Sequence, residues 1–347
     1  MRKLASIRKI DTIRPIEGAD AIECAVVGGW TVVVKKGEFA AGDLAVYCEI
    51  DSWIPHALAP FLSKGNEPRV YDGIAGERLR TIKLRGQLSQ GLLLPVEIDN
   101  GQFTGDVHVV KGEPVEVGED VSKLLGIVKY EAPIPAQLAG EVKGMFPGWI
   151  QKTDQERIQN LKEELAFWAK EQHAWEITEK LDGSSMTVYL RDGEFGVCSR
   201  NLELKPSETN SLWKVAVAND LELKLRRANR NIALQGELIG EGIQGNPYKM
   251  KGQDFFLFDI YNIDTNKYFT PAERKAFVDE FDIKHVPVFG SLVMDESTTV
   301  DALLTLAEGK SVMGMVGCER EGLVFKILDM QCSFKAISNK FLLKHGN

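Results

Sequence analysis

The chain has 347 residues, of which 44% are apolar and 27% charged, the balance of an ordinary folded protein long enough for two domains. No window approaches 18 uncharged apolar residues and the opening MRKLASIRKIDTIRPIEG lacks an apolar core, so neither a membrane span nor a signal peptide is expected, and the protein reads as cytoplasmic. The formal charge of −8 argues mildly against a protein that coats nucleic acid, while two basic clusters, RLRTIKLRG (78–86) and KLRRANR (224–230), leave room for a local basic channel.

The first 128 residues read as short strands separated by turn signals. AIECAVVGGWTVVVKKGEF gives two apolar runs around Gly28-Gly29, a hairpin pattern, and GDLAVYCEI, RLRTIKLRG, QGLLLPVEI and GEPVEVGED continue it. Closely spaced strands without long helices predict a small β-barrel, OB-like or SH3-like. The string IEGADAIECAVVGGW is also similar to the opening of OB-type tRNA-binding modules. Residues 129–149, rich in proline and glycine and without a period, read as a linker.

A second domain over 150–347 follows. In KTDQERIQNLKEELAFWAKEQ, Thr153 and Glu156 form a capping-box pattern, with Ile158, Leu161, Leu165 and Trp168 on one apolar face of a predicted helix. WEITEKL and SMTVYLRDGEFGVCSR predict strands with a hairpin turn at Asp192-Gly193, and SLWKVAVANDLELKLRRANR predicts a helix. IALQGELIG, DFFLFDIYN, EGLVFKI and CSFKAIS predict further strands, and TPAERKAFVDEFD a helix with Thr270 as N-cap and Pro271 at its first position. The fold class is therefore α+β, a barrel followed by an antiparallel-sheet domain with helices.

Five cysteines without a Cys-x-x-Cys pair argue against a disulfide framework and a zinc site. Five scattered histidines give little support to a Ser-His-Asp triad. The chemistry has to come from elsewhere. EITEKLDGSSMTVYL (176–190) puts Lys180 where a half-buried strand meets an Asp-Gly turn. A Lys-x-Asp-Gly string alone occurs by chance in roughly one chain in ten of this length, so its companions decide the matter. They follow in order: SRN (199–201), GELIGEGIQGNPY (236–248), FLFDIYN, EGLVFKI (321–327) and SFKAISNKF (333–341).

As an ordered set these strings resemble the covalent nucleotidyltransferases, namely DNA ligases, RNA ligases and capping enzymes. Within that group the chain is most similar to the Deinococcus-type nick-sealing RNA ligase family. The resemblance implies that Lys180 attacks the α-phosphorus of ATP and forms a lysyl-AMP, with Mg2+ or Mn2+ as cofactor. It implies Glu179 near the adenine, and Asp182 and Gly183 completing the lysine motif. Arg200 would lie on phosphate or ribose, Glu237 on a ribose hydroxyl, Phe258 stacked on adenine with Asp259 beside it, and Glu321 on the metal. Lys326 and Lys335 would lie on the α-phosphate. Read as residues alone, Glu241 rivals Glu237, Arg191 rivals Arg200, and any of Phe255, Phe256 and Phe258 could be plain core. One departure concerns the last motif, where Ile337 stands in place of a second lysine that related enzymes often carry and Lys340 is the available substitute.

The implied substrate is a nicked duplex with an RNA 3′-hydroxyl strand. Only about a dozen residues follow Lys335, where DNA ligases and capping enzymes continue into a C-terminal OB domain; the expected alternatives are nevertheless such an enzyme or a non-catalytic OB-fold nucleic-acid-binding protein. The attacking amine must be neutral. From a free pKa of about 10.4, reaching pH 7 requires roughly 4–5 kcal/mol of bias against the charged form. Burial, together with Lys326, Lys335, Arg200 and a metal ion as neighbouring cations, is expected to supply it.

Overall fold

Alternation of buried and exposed side chains governs the first 130 residues in the computed structural model, which describes residues 3–101, 105–131, 140–314, 317–328 and 331–345. Two compact units emerge, one of Met1–Pro133 with Leu342–Asn347 and the other of Ile134–Phe341. In the first, strands Ala5–Lys9, Leu44–Cys48 and Leu92–Pro95 form one antiparallel sheet. The predicted hairpin is present as Ile22–Val27 and Trp30–Lys35, joined by Thr12–Pro15. Ser52–Pro55, Arg69–Tyr71, Ile74–Arg78 and Val128–Lys129 make a third sheet. Ile7, Val46, Ile54 and Leu125 fill one core and Ala25, Trp30, Val32 and Tyr47 another. These short, curled sheets are the expected barrel.

The second unit is built on two sheets. A seven-stranded sheet runs in the order Val142–Met145, Leu202–Leu204, Glu194–Cys198, Ser184–Arg191, Ile232–Gly240, Gln253–Asn262 and Lys267–Tyr268. A five-stranded sheet runs Glu156–Arg157, Ser333–Ile337, Gly322–Ile327, Ala174–Lys180 and Val288–Val293. Each buries one face under helices. Leu212, Val215, Leu221, Leu225, Phe277 and Phe281 pack on Val188, Leu234 and Leu257 of the larger sheet. Leu165, Trp168, Leu303 and Leu304 pack on Trp175, Phe325 and Phe334 of the smaller one. The opposite faces carry the polar residues of the candidate site.

Several elements differ from the sequence pattern. The helix expected from Thr153 begins only at Lys162 and ends at Glu171. Glu156 does not cap it; its carboxylate accepts from Arg157 N and from Asn160 Nδ2, and Glu156–Arg157 pairs in parallel with Phe334 and Lys335. Sheet pairing has taken the residues that a capping box would have used. The single helix expected over 211–230 is two, Ser211–Ala218 and Leu221–Ala228, broken where Asp220 turns to φ +52°. Of the expected linker, 132–139 lies outside the described residues, and Val142–Met145 is an edge strand rather than loop. By contrast Thr270 caps Pro271–Phe281 as expected, with Glu273 completing a capping box, and Asp192-Gly193 makes the predicted hairpin with both residues left-handed.

Candidate active site

Lys180 ends a strand paired on both sides, with Val288–Val293 on one edge and Gly322–Ile327 on the other. Period-two alternation sends Trp175 and Ile177 to the helix-covered core and Glu176, Thr178 and Lys180 to the opposite face. Leu181–Gly183 then carries the chain from the small sheet into the large one. Gly183 is needed there for space: a Cβ would lie 2.4 Å from Leu238 O and 2.8 Å from Glu237 Cγ. Its role is thus close approach of two strands. Tyr248, which sequence reasoning did not single out although GELIGEGIQGNPY contains it, accepts from Asp182 N at 2.6 Å and fixes this turn.

The Lys180 ammonium lies 2.7 Å from Glu321 Oε1 and 2.8 Å from Oε2. Burial pushes its pKa down, but Glu321, Glu237 and Asp182 outweigh burial and the net shift is upward. The expected ring of cations is therefore a ring of carboxylates in the protein alone. The carboxylates respond in turn. Burial raises Glu237 to about 8, with Glu321 and Asp182 adding and Lys180 opposing. Burial and Glu321 raise Asp182 to about 7. The site holds more carboxyl groups than one lysine balances, and two of them keep their protons to higher pH. Glu237, on Ile232–Gly240, is the glutamate that faces Lys180, which sets it apart from Glu241.

Glu179 points away from Lys180 and is 1% exposed. Its Oε2 accepts from Val312 N at 3.1 Å, while Oε1 is buried without a hydrogen-bond partner. Next to Val312, Met313 packs with Phe258 on an apolar group of Leu181, Ile239, Tyr248, Phe256 and Val286. Phe258 owes its position to a β-bulge, since Leu257 opposes Gly236 and Asp259 opposes Gln235, leaving one residue over. Phe255 is plain core and Phe256 is buried, so Phe258 is the half-open ring of the three.

Lys326 is buried against Phe258 and Asp259, donating to Phe258 O and, at 2.8 Å, to Asp259 Oδ1. Burial lowers its pKa to about 8, with Arg274 helping and Asp259 opposing. Behind Asp259 lies a group missing from the sequence reading. Arg274, 1% exposed, donates to Glu176 and, through Nε, to His285 Nε2 at 2.9 Å, and its Nη1 lies 3.7 Å from Asp259 Oδ1. A signal existed: Arg274, Phe277 and Phe281 fall on one helical face, so the arginine sits on the apolar side.

Lys335 is half-buried and opposes Val324, on the same sheet face as Lys326. Arg200 stands apart on the turn after Glu194–Cys198, half-exposed and paired with Asp154 at 2.8 Å. Ile337 is buried beside Gly322, and the exposed Lys340 pairs with Glu308 at 2.7 Å. Among the described residues no three Asp, Glu, His or Cys side chains converge closely enough to bind an ion directly. No described helix is long and apolar enough to cross a membrane.

Comparison with known proteins agrees with this arrangement. The RNA ligase family profile matches residues 173–341, and an OB-fold domain profile matches residues 4–96. An uncharacterized protein of Methanocaldococcus jannaschii, MJ0414, is 28% identical over 164 residues, spanning 45% of this chain and 38% of its own length. Solved structures of a Naegleria gruberi RNA ligase are far more similar. A variant without ligand is 49% identical with a TM-score of 0.89, covering 99% of this chain and 98% of its own. The same ligase with pyrophosphate gives 49% and 0.88, covering 100% and 99%. A variant with ATP and manganese gives 49% and 0.88, covering 99% of both chains. With near-complete coverage at that identity, this chain belongs to the RNA ligase family.

Proposed function

We propose that this protein is an ATP-dependent RNA ligase that seals nicks in a duplex whose 3′-hydroxyl strand is RNA. The observation that carries the reading is the placement of Lys180 at the junction of two sheets, paired with Glu321 and flanked by Glu237 and Asp182. In the first step the neutral Lys180 amine attacks the α-phosphorus of ATP. An N–P bond forms, the P–O bond to pyrophosphate breaks, and the amine loses its proton. AMP then passes to a 5′-phosphate end, and a 3′-hydroxyl displaces it to seal the strand. Each step is an in-line displacement at phosphorus, in which positioning and charge compensation carry most of the catalysis.

The remaining residues fall into roles around that lysine. Glu179, with its unpartnered Oε1, supplies an acceptor for the adenine amino group at the edge of the apolar group that includes Phe258. Phe258 stacks on the base, Asp259 holds Lys326, and Glu237 accepts from the ribose. Lys326 and Lys335 offset charge on the α-phosphate, and Arg200 reaches phosphate or ribose. The surplus of carboxylate at Lys180, without a cage for direct ligation, suits a hydrated divalent ion held by Glu321, with Glu237 and Asp182 contributing through water. When bound, such an ion supplies positive charge beside the carboxylates and the phosphates.

Incubation with α-labelled ATP and Mg2+ or Mn2+ tests this reading. Label should attach to Lys180 and be lost in Lys180→Ala. Mass spectrometry placing AMP on another side chain, or labelling by GTP alone, would refute it.

A further inference from the structure

One unassigned surface is a β-ribbon in the first unit. Thr81–Leu84 and Gln87–Gln90 pair through a two-residue turn in which Arg85 and Gly86 are both left-handed, the geometry of a tight twisted hairpin. Its root is fixed. Ser89 Oγ accepts from Val33 N at 3.0 Å and Thr31 Oγ1 donates to Leu88 O at 3.1 Å, tying the second strand to Trp30–Lys35. The first strand is outermost, and Ile82 is 46% and Leu84 39% exposed beside exposed Lys83 and Arg85.

Charge marks the occupant. From 78 to 96 the chain has no Asp or Glu, although it carries 50 acidic residues in all. Arg78 is engaged by Asp51 and lies over the Tyr130 ring, yet Arg80, Lys83 and Arg85 make no ion pair among the described residues. In the other basic cluster two of the four cations are engaged within the fold, while Arg227 and Arg230 are exposed. There Lys224 donates to Asp282 O, and Arg226 is held by Glu222 and Gly193 O. The ribbon also lacks any aromatic residue, the group on which single-stranded bases stack. Strand alternation puts Lys83 on the face opposite Ile82 and Leu84, and unpaired Lys83 and Arg85 match the phosphates bordering the shallow minor groove of an A-form helix.

Resting on the ligase reading above, we infer that the ribbon 81–90 is a docking contact for the RNA-containing duplex, with Lys83 and Arg85 on phosphates. The test is binding of the intact protein to a fluorescent nicked duplex across a series of KCl concentrations. Each phosphate contact contributes about 0.9 to the slope of log K against log salt. Lys83→Ala/Arg85→Ala should flatten that slope by about 2 and weaken binding about tenfold at low salt. An unchanged thermal midpoint shows that the fold is kept. Arg226→Ala/Arg227→Ala should leave the slope as it is. An unaltered slope in the ribbon variant overturns the proposal and turns attention to an acidic protein partner for this surface. Absence of ATP labelling in the unmutated protein would instead count against the ligase reading itself.

Discussion

At the level of single residues, the site is defined by like charges held together. Glu237 has a pKa of about 8 in the folded protein against an ordinary 4.5, so between those values the folded state binds the extra proton. Stability therefore falls as pH rises through that window, with the penalty complete above pH 8. Glu237→Gln removes the titration. Without nucleotide or metal, urea unfolding should show the variant gaining about 1–3 kcal/mol more over the parent at pH 8 than at pH 5. An equal difference at both pH values contradicts the assignment. Lys180 predicts the opposite direction for chemistry. Its pKa is raised, so the neutral amine is scarce at pH 7 and grows tenfold per unit. The rate of AMP attachment at saturating ATP should climb between pH 6 and 8, as followed by labelled ATP, and a flat profile would show that proton loss does not limit the step.

Secondary-structure elements transmit order to those residues. The helix Pro271–Phe281 brings Arg274 under the sheet, where it neutralises Glu176 and reaches toward Asp259. His285 must be neutral for its Nε2 to accept from Arg274, and burial with the arginine charge lowers its pKa to about 3. Arg274→Ala would strand the Glu176 carboxylate, leaving Asp259 with Lys326 alone, and should cost about 3–5 kcal/mol in urea unfolding. Thr270→Ala, which removes only the cap of the same helix, should cost about 1 kcal/mol. This contrast also shows what was legible in advance. Thr270, Pro271 and Glu273 act locally, so their pattern could be read from spacing. Glu156 has the same local pattern but sits beside a strand edge, and long-range pairing overrode it. Arg274, His285 and Tyr248 take their roles from partners far away in sequence, which no local pattern reports. Lys180, Glu237 and Glu321 were legible because an ordered series of motifs fixes them together. The sign of the Lys180 shift was not, because it depends on which charges surround it in space.

For the molecule as a whole, the barrel and the sheet-rich second unit followed from strand periodicity, while its division into two sheets and the linker and helix limits were set by tertiary pairing. Ligand linkage gives a prediction at this scale. ATP with Mn2+ at about 100 times Kd should stabilise the folded chain by about 2.7 kcal/mol, seen as a raised thermal midpoint. Glu179→Ala should lose most of that gain for ATP while leaving the unliganded midpoint near its starting value or above it, since the buried carboxylate is incompletely paired. A full ATP gain in the variant would remove Glu179 from the base-binding role.

The pair between Lys180 and Glu321 has a consequence for the idle enzyme. An unprotonated lysine in an open cleft would be acylated, glycated or carbamylated by whatever reactive carbonyl compounds drift past, and each such adduct would end the life of that molecule as a catalyst. Two carboxylate oxygens within 2.8 Å keep the amine charged and inert until a nucleotide arrives. The glutamate thereby shields this side chain from such adducts.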